Sequence, residues 1–311
     1  MIVVLSLNTA IDRLMLVPGF AGGQVYRAER SVAVAGGKAL NVARVLRRLG
    51  HPVRVVGMLG GMPESFVRTW CDREGIEGHW VRIEMDSRTC VIVVDPQSAH
   101  QTVLNEPGPR LNSSDMRRID AAIEQTTQEG DTLCISGSAP PGVAASFYAD
   151  LIVRMRERGI RVLVDTAGAA LRLALDALPW AAAPNASECA TALSHAEDPP
   201  TLIAALSERV EHAILTIGSE GLLYAHGDRI WRVRPPAIHT VNAVGSGDAC
   251  VAGFLAGIIR GLPPLDAIQL GVACGAANAA RFEPGIESVA EVERLSSLVR
   301  IDPFDPSRPA R

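Results

Sequence analysis

The sequence predicts an α/β fold built on one mainly parallel sheet, and three observations carry that prediction. Short β-branched runs recur between helical stretches, at residues 2–5, 53–56, 133–135, 162–164 and 213–216; such alternation places parallel strands under crossover helices. Hydrophobic residues make up 48%, charged residues 21% and aromatics only 4%, as expected of a Val-, Leu- and Ala-rich interior and unlike a disordered chain. From Gly108 onward the alternation runs without a linker, so the 311 residues are expected to form one domain, 1–311, with a large core.

Helix boundaries follow from spacing. Over Lys38 to Leu49, Val42, Val45, Leu46 and Leu49 fall on one face and Arg44, Arg47 and Arg48 on another, and Gly50 and Pro52 end the helix. A second, amphipathic helix is predicted after Asp248, with Val251, Phe254, Leu255 and Ile258 at helical spacing. Two segments, 13–34 and 88–104, contain no helical pattern, and the second alternates around a polar turn from Asp95 to His100. They read as an inserted β lid or as two surface hairpins. The Pro-rich tail from Pro303 reads as frayed.

Composition also excludes functions. With a net charge of −4 and no basic run, the chain lacks the patch a nucleic-acid binder needs, so its partner is expected to be a small molecule. Cys71, Cys90, Cys134, Cys189, Cys250 and Cys274 are scattered, without zinc-knuckle or redox spacing, and read as buried thiols of a reducing cytosol. The first residues enter an apolar strand directly, unlike a signal peptide, and the apolar stretch 249–259 is too short to cross a bilayer. A cytoplasmic protein without membrane association is the expectation.

Chemistry concentrates in glycine turns that open helices. In Val244-Gly245-Ser246-Gly247-Asp248 the unpaired N–H groups and positive dipole of a helix start suit an anion such as a phosphoryl group, with Asp248 beside it. An Asp at a helix start is often a simple cap; the two preceding glycines favour close approach of a ligand instead. Ala249, Gly253 and Gly257 leave a stripe with little side chain, fit for a ligand or another helix. The second turn, Gly36-Gly37-Lys38-Ala39-Leu40-Asn41, is neither a Walker loop nor a dinucleotide fingerprint. Its glycines admit a ligand, Asn41 offers donor and acceptor, and Lys38 offers a charge for phosphate. Asp12 follows the first strand, where the carboxyl ends of a parallel sheet bind ligands.

The segments Gly36 to Ala43 and Val244 to Asp248 resemble the two signature regions of the ribokinase-like (PfkB) carbohydrate kinases. Further similar motifs run from Asn8 to Asp12, Ser87 to Cys90, Asn105 to Pro109, Ser136 to Gly142, Pro184 to Glu188 and Thr216 to Gly221. The detail is closest to the branch holding 1-phosphofructokinase and tagatose-6-phosphate kinase. The resemblance implies a three-layer α/β/α domain with a small β lid, and ATP with Mg²⁺ as cofactors. It implies Asp248 as base, the N–H groups of Gly245, Ser246 and Gly247 around the γ-phosphoryl group, and Asp12, Gly36, Gly37, Asn41 and Ser136 around the sugar. Lys38 and Arg88 would bind the acceptor phosphate, Asn185 and Glu188 would orient phosphate and magnesium through water, and Thr216, Gly218, Gly221 and Asn278 would border the nucleotide, Asn278 near the adenine. Asn242 stands where other branches carry an Asp tied to a monovalent cation, so no potassium requirement is implied.

The expected reaction is ATP-dependent phosphorylation of a ketohexose monophosphate, namely fructose 1-phosphate, tagatose 6-phosphate or fructose 6-phosphate, to the bisphosphate. A kinase for an unphosphorylated sugar or nucleoside is the nearest rival, and Lys38 and Arg88 argue against it. A sugar-phosphate-binding regulator without catalysis is the other; it has no need of Asp248. A homodimer through the lid is a further expectation.

Overall fold

The computed structural model describes residues 1–98 and 100–306. In chain order the first third forms β1 (Ile2–Ser6), β2 (Ala10–Leu16), β3 (Arg30–Gly36), α1 (Lys38–Arg48), β4 (Val53–Gly60), α2 (Pro63–Glu74), β5 (Glu77–Ile83), β6 (Arg88–Asp95) and β7 (His100–Asn105). There follow α3 (Ser113–Thr126), β8 (Thr132–Ser136), α4 (Phe147–Glu157), β9 (Arg161–Asp165), α5 (Gly168–Asp176), β10 (Ala181–Ala182), α6 (Ala186–Leu193) and α7 (Pro199–Ser207). The last third is β11 (His212–Thr216), β12 (Leu222–His226), β13 (Arg229–Arg234), α8 (Ser246–Ile259), α9 (Pro264–Ala279), α10 (Val289–Ser296) and β14 (Arg300–Phe304).

Ten strands form the central sheet in the order β14-β13-β12-β11-β10-β9-β8-β1-β4-β5. From β11 to β5 every pairing is parallel, and β12, β13 and β14 extend it antiparallel. Strand alternation divides the core between two faces. Ile2 and Val4 of β1 pack with Leu40 of α1, Phe254 of α8 and Ala273 of α9. Val3 and Leu5 turn the other way, toward Ile119 of α3, Leu151 of α4 and Leu202 of α7. Each of these side chains is essentially fully buried, worth about 1.5–3 kcal/mol apiece for the larger ones. The result is a three-layer α/β/α body with a mainly parallel sheet.

Segments 13–34 and 88–104 belong to a second sheet of order β3-β2-β6-β7, and its strands run past both segments, from Ala10 to Gly36 and to Asn105. One face buries Leu14, Val34, Ile92 and Val94 against Phe282. Asp12 lies on that same face, opposite Val34 and Cys90 in register.

Three local expectations need correction. Arg44 is not on a solvated face: it is 4% exposed, because its guanidinium stacks over Trp70 at 4.3 Å and its N–H groups find acceptors inside. Helix α8 is not amphipathic, since residues 248–257 are all buried. Its small-residue stripe serves α9: a Cβ on Gly253 would lie 2.8 Å from the Gly271 Cα, and one on Gly257 2.6 Å from the Ala267 Cα. Pro303 is not in a frayed tail but in β14, opposite Trp231 on the sheet edge, where a missing N–H is tolerated; residues 307–311 lie outside the described residues. No helix of the described residues is long and apolar enough to cross a membrane.

Candidate active site

The carboxyl ends of β1, β8, β9 and β11, the start of α8 and the start of α1 converge on one cleft, as expected where a parallel sheet delivers loops to one edge. Gly245, at φ 85, turns the chain into α8 as its N-cap. Gly247 sits in the first turn, whose N–H groups have no intrahelical partner, and the space a Cβ would occupy there is empty to 4 Å. The N–H of Ser246 differs: it donates to the Ala243 carbonyl at 3.1 Å, closing the turn.

Asp248 is 6% exposed and accepts a 2.8 Å hydrogen bond from Asn41 Nδ2. Burial pushes its pKa up to about 7; Lys38 opposes the rise, Asp165 adds to it, the Asn41 hydrogen bond opposes it and Asp12 adds to it. Asp12, 5% exposed, is also raised by burial, against the Gly37 N–H and the charges of Arg44 and Arg88. Its Oδ2 accepts from Gly37 N at 3.2 Å. A Cβ on Gly36 would fall 2.1 Å from the Asp12 carboxyl carbon, so Gly36 is required by Asp12 rather than by a ligand. Arg88 donates to the carbonyls of Asn8 and Glu106 at 3.2 and 3.3 Å, which sets it at the rim near Asp12.

Lys38 Nζ donates to Asp165 Oδ1 at 2.8 Å and lies 3.5 Å from Glu188 Oε1. Burial alone would lower the lysine pKa, but Asp165, Asp248 and Glu188 outweigh it and hold the ammonium charged. Its side chain keeps 37% of its surface open. Ser136 donates to Asp165 Oδ2 at 3.2 Å, so it faces this acid. Asn185 and Glu188 form a reciprocal capping box at the start of α6, with bonds of 2.8 and 3.0 Å. A bridge aligns Asn185 with Thr216 at the end of β11, and Gly218 opens a short turn beyond it. Gly221 answers to packing, since a Cβ there would strike the Val233 carbonyl at 2.1 Å.

Asn278 is 1% exposed and its amide is fully engaged. It donates to the Val244 carbonyl and Ser246 Oγ, both at 3.0 Å, and accepts from Gly285 N at 2.7 Å. Its contacts are therefore with the glycine turn. Asn242 braces the same turn, donating to the Phe282 carbonyl at 2.8 Å and accepting from Val244 N at 3.0 Å.

Thus Asn41 ties α1 to Asp248, Asp12 lies against Gly36 and Gly37 with Arg88 nearby, and Lys38 meets Asp165, which Ser136 also faces, and Glu188, whose capping partner Asn185 aligns with Thr216. Sequence reasoning missed Asp165 and Arg44. The signal for Asp165 was a carboxylate ending the apolar run Val162-Leu163-Val164 at the ligand-binding edge. Arg44 carried none, because its periodicity matched a solvated face.

Comparison with known proteins agrees with this geometry. The chain is 30% identical over 308 residues to the 1-phosphofructokinase of Bacillus subtilis (strain 168), covering 97% of this chain and 99% of that one. In fold it resembles phosphofructokinase-2 of Escherichia coli, solved in complex with substrates and products (TM-score 0.88, 24% identity, 95% of this chain and 98% of that one). It likewise resembles a ribokinase of Thermotoga maritima (TM-score 0.76, 19% identity, 96% of this chain and 99% of that one). Residues 1–289 match the pfkB family of carbohydrate kinases, and the chain belongs to that family.

Proposed function

We propose that the protein transfers the γ-phosphoryl group of ATP to a ketohexose monophosphate, giving the bisphosphate and ADP. The observation that carries this reading is a buried carboxylate, Asp248, set at an open glycine helix start, hydrogen-bonded to Asn41 and within the field of Lys38. Among fructose 1-phosphate, fructose 6-phosphate and tagatose 6-phosphate, the first is favoured by the likeness to the B. subtilis protein.

In this reading Asp12 and Asn41 orient the sugar so that one hydroxyl meets Asp248. The carboxylate takes the hydroxyl proton as the oxygen bonds to the γ-phosphorus and the bond to ADP breaks. A base held near neutrality suits that task, since it is ionised in use yet basic enough to accept the proton. The turn from Gly245 to Gly247 carries the charge of the moving phosphoryl group, and Ser246 N–H would join it by turning from the Ala243 carbonyl it meets at 3.1 Å. Asn278 and Asn242 act by holding that turn rather than by touching the adenine.

Arg88 and Lys38 bind the acceptor phosphate, Arg88 by a two-pronged contact and Lys38 as a point charge. Thr216 and Gly218 border ATP on the far side. The residues present fit magnesium: Glu188 Oε1 is an oxygen acceptor held loosely by Lys38 at 3.5 Å, and Asn185 stands beside it, as a water-shelled cation requires. Magnesium bound with ATP would neutralise phosphate charge. The four-stranded sheet acts as a lid that excludes water from the donor, and its rim, with Leu104 60% exposed, is where a second copy of the chain would dock. The six buried free thiols fit a cytoplasmic protein.

An ADP-release assay over the three sugar phosphates and their unphosphorylated parents tests the proposal. Turnover confined to phosphorylated ketohexoses is expected; faster turnover of a free sugar or nucleoside would overturn it.

A further inference from the structure

Arg44 of α1 supports an inference that rests on Asp248 being the base and concerns how that base is held. Asn41 stands between two charges: its Oδ1 accepts from Arg44 Nη1 at 2.7 Å, and its Nδ2 donates to Asp248 Oδ2 at 2.8 Å. A guanidinium only donates and an ionised carboxylate only accepts, so one orientation of the amide satisfies both and the flipped one satisfies neither. Arg44 itself has no freedom. Its Nη2 donates to the Ala35 carbonyl at 2.6 Å, Trp70 lies under its plane, and Gly285 closes over it so tightly that a Cβ there would sit 2.9 Å from the Arg44 Cδ. Burial lowers its pKa only to about 10, against the pull of Glu74 and Asp12, so it stays a donor throughout the neutral range.

We propose that Arg44 is a positioning residue that fixes the Asn41 amide with its N–H toward Asp248, keeping the base ionised and aimed into the cleft. Without Arg44 the amide is free to turn its oxygen toward Asp248. Two facing oxygens require a proton between them, so Asp248 would hold its proton to higher pH. The other charges facing Asp248, namely Lys38, Asp165 and Asp12, remain in place and do not reverse that sign. Around Arg44 the remaining titratable groups are Glu74, Asp12, Arg48 and Cys71, whose thiol burial pushes up to about 12.

The test compares Arg44→Gln and Arg44→Lys with wild type, measuring kcat against pH at saturating ATP and sugar phosphate. For Arg44→Gln we expect kcat at pH 7 to fall by about fivefold, the acid limb to move up by about one pH unit, and the defect to shrink toward pH 9. The KM for ATP should stay within about twofold, and Arg44→Lys, which keeps a charged donor, should bring the limb most of the way back. A defect equal at pH 6.5 and pH 9, with the limb unmoved, would make Arg44 a packing residue and overturn the proposal. Should Arg44→Gln fail to fold, the Asn41 side-chain amide protons of wild type decide by NMR. Slow exchange and a shift that titrates with the acid limb support the lock; fast exchange without titration overturns it. Failure of the base reading looks different, because Asp248→Asn would then retain turnover.

Discussion

Burial acts on two titratable clusters at opposite ends of the central sheet and has opposite consequences. At the start of β11, His212 is 3% exposed, lies edge-on to Trp180 at 4.7 Å, stacks on His226 at 4.4 Å and meets the Tyr224 hydroxyl at 2.7 Å. Burial first, then His226 and Arg161, depress its pKa to about 3, and its neutral ring packs as part of the core. At the other end, Asp248, Asp165 and Asp12 crowd around Lys38 and Arg44, and burial raises Asp248 to about 7. His212 is silent at neutral pH, whereas Asp248 is poised to exchange a proton there. The difference lies in the groups themselves: burial disfavours the charged form of each, which keeps an imidazole neutral and holds a proton on a carboxyl, with Asp165 and Asp12 adding to the rise at Asp248.

The largest expected effect is at the poised end. Asp248→Asn keeps an oxygen for Asn41 and should lower kcat by about a thousandfold or more with little change in ATP affinity. Steady-state kinetics with a saturating sugar phosphate measures this, and near wild-type turnover would remove the base assignment.

Next come the cations. Arg88→Ala and Lys38→Ala should each raise KM for a sugar phosphate by about ten- to a hundredfold, from the loss of roughly 1.5–3 kcal/mol of charge-assisted binding, and far more than for ATP. Lys38→Ala should also move the acid limb of kcat upward, because the lysine charge lowers the Asp248 pKa. Equal KM losses for a sugar phosphate and its unphosphorylated parent would show that neither cation reads the phosphate.

Stability separates the two ends by sign. The Asp248 pKa is raised in the fold, so its contribution is present below the unfolded value near 4 and is lost as pH rises through about 7. Asp248→Asn should therefore raise the melting temperature at pH 8 by a few degrees, about 2–4 °C per kcal/mol, and leave it unchanged near pH 3.5. The His212 pKa is depressed, so its contribution is full above pH 6.5 and is lost as pH falls toward 3. In His212→Phe the drop in melting temperature between pH 7 and pH 5 should be smaller than in wild type. Parallel pH trends in both variants would collapse the contrast.

The smallest expected effect concerns the four-stranded sheet. Saturating sugar phosphate should slow hydrogen exchange in β2, β3 and β6, with little change from nucleotide alone. Unchanged exchange with sugar phosphate would remove the lid role while leaving the chemistry intact.

How much of this was legible in the sequence follows from what each residue answers to. The strands 2–5, 133–135 and 162–164 were readable because both their faces are buried, which leaves uninterrupted apolar runs, and 53–56 and 213–216 are interrupted only by Arg54 and the terminal Thr216. Strands β5 and β13 were not readable, since their partly exposed patterns carry Glu77, His79, Arg229 and Arg232. In the site, the two glycine turns announced themselves, and Asn41 and Asp248 came with them, while Asp12 was read from its place after the first strand. Arg44 and the bracing role of Asn278 depend on Ala35 and Val244, 9 and 34 residues away in the chain, and no local pattern encodes such contacts; Asp165 showed only its place at the end of an apolar run, not its pairing with Lys38 127 residues away. At Gly36 and Gly221 the missing side chain makes room for protein, Asp12 in one case and the Val233 carbonyl in the other, a reason no local pattern shows.

The pH dependence of wild-type kcat, with ATP and a ketohexose phosphate both saturating, tests most directly whether a crowded buried carboxylate supplies the base. An acid limb of unit slope is expected, set by Asp248 and lying well above the ordinary carboxylate range because that group is buried. A profile flat from pH 5.5 to pH 8 would contradict it.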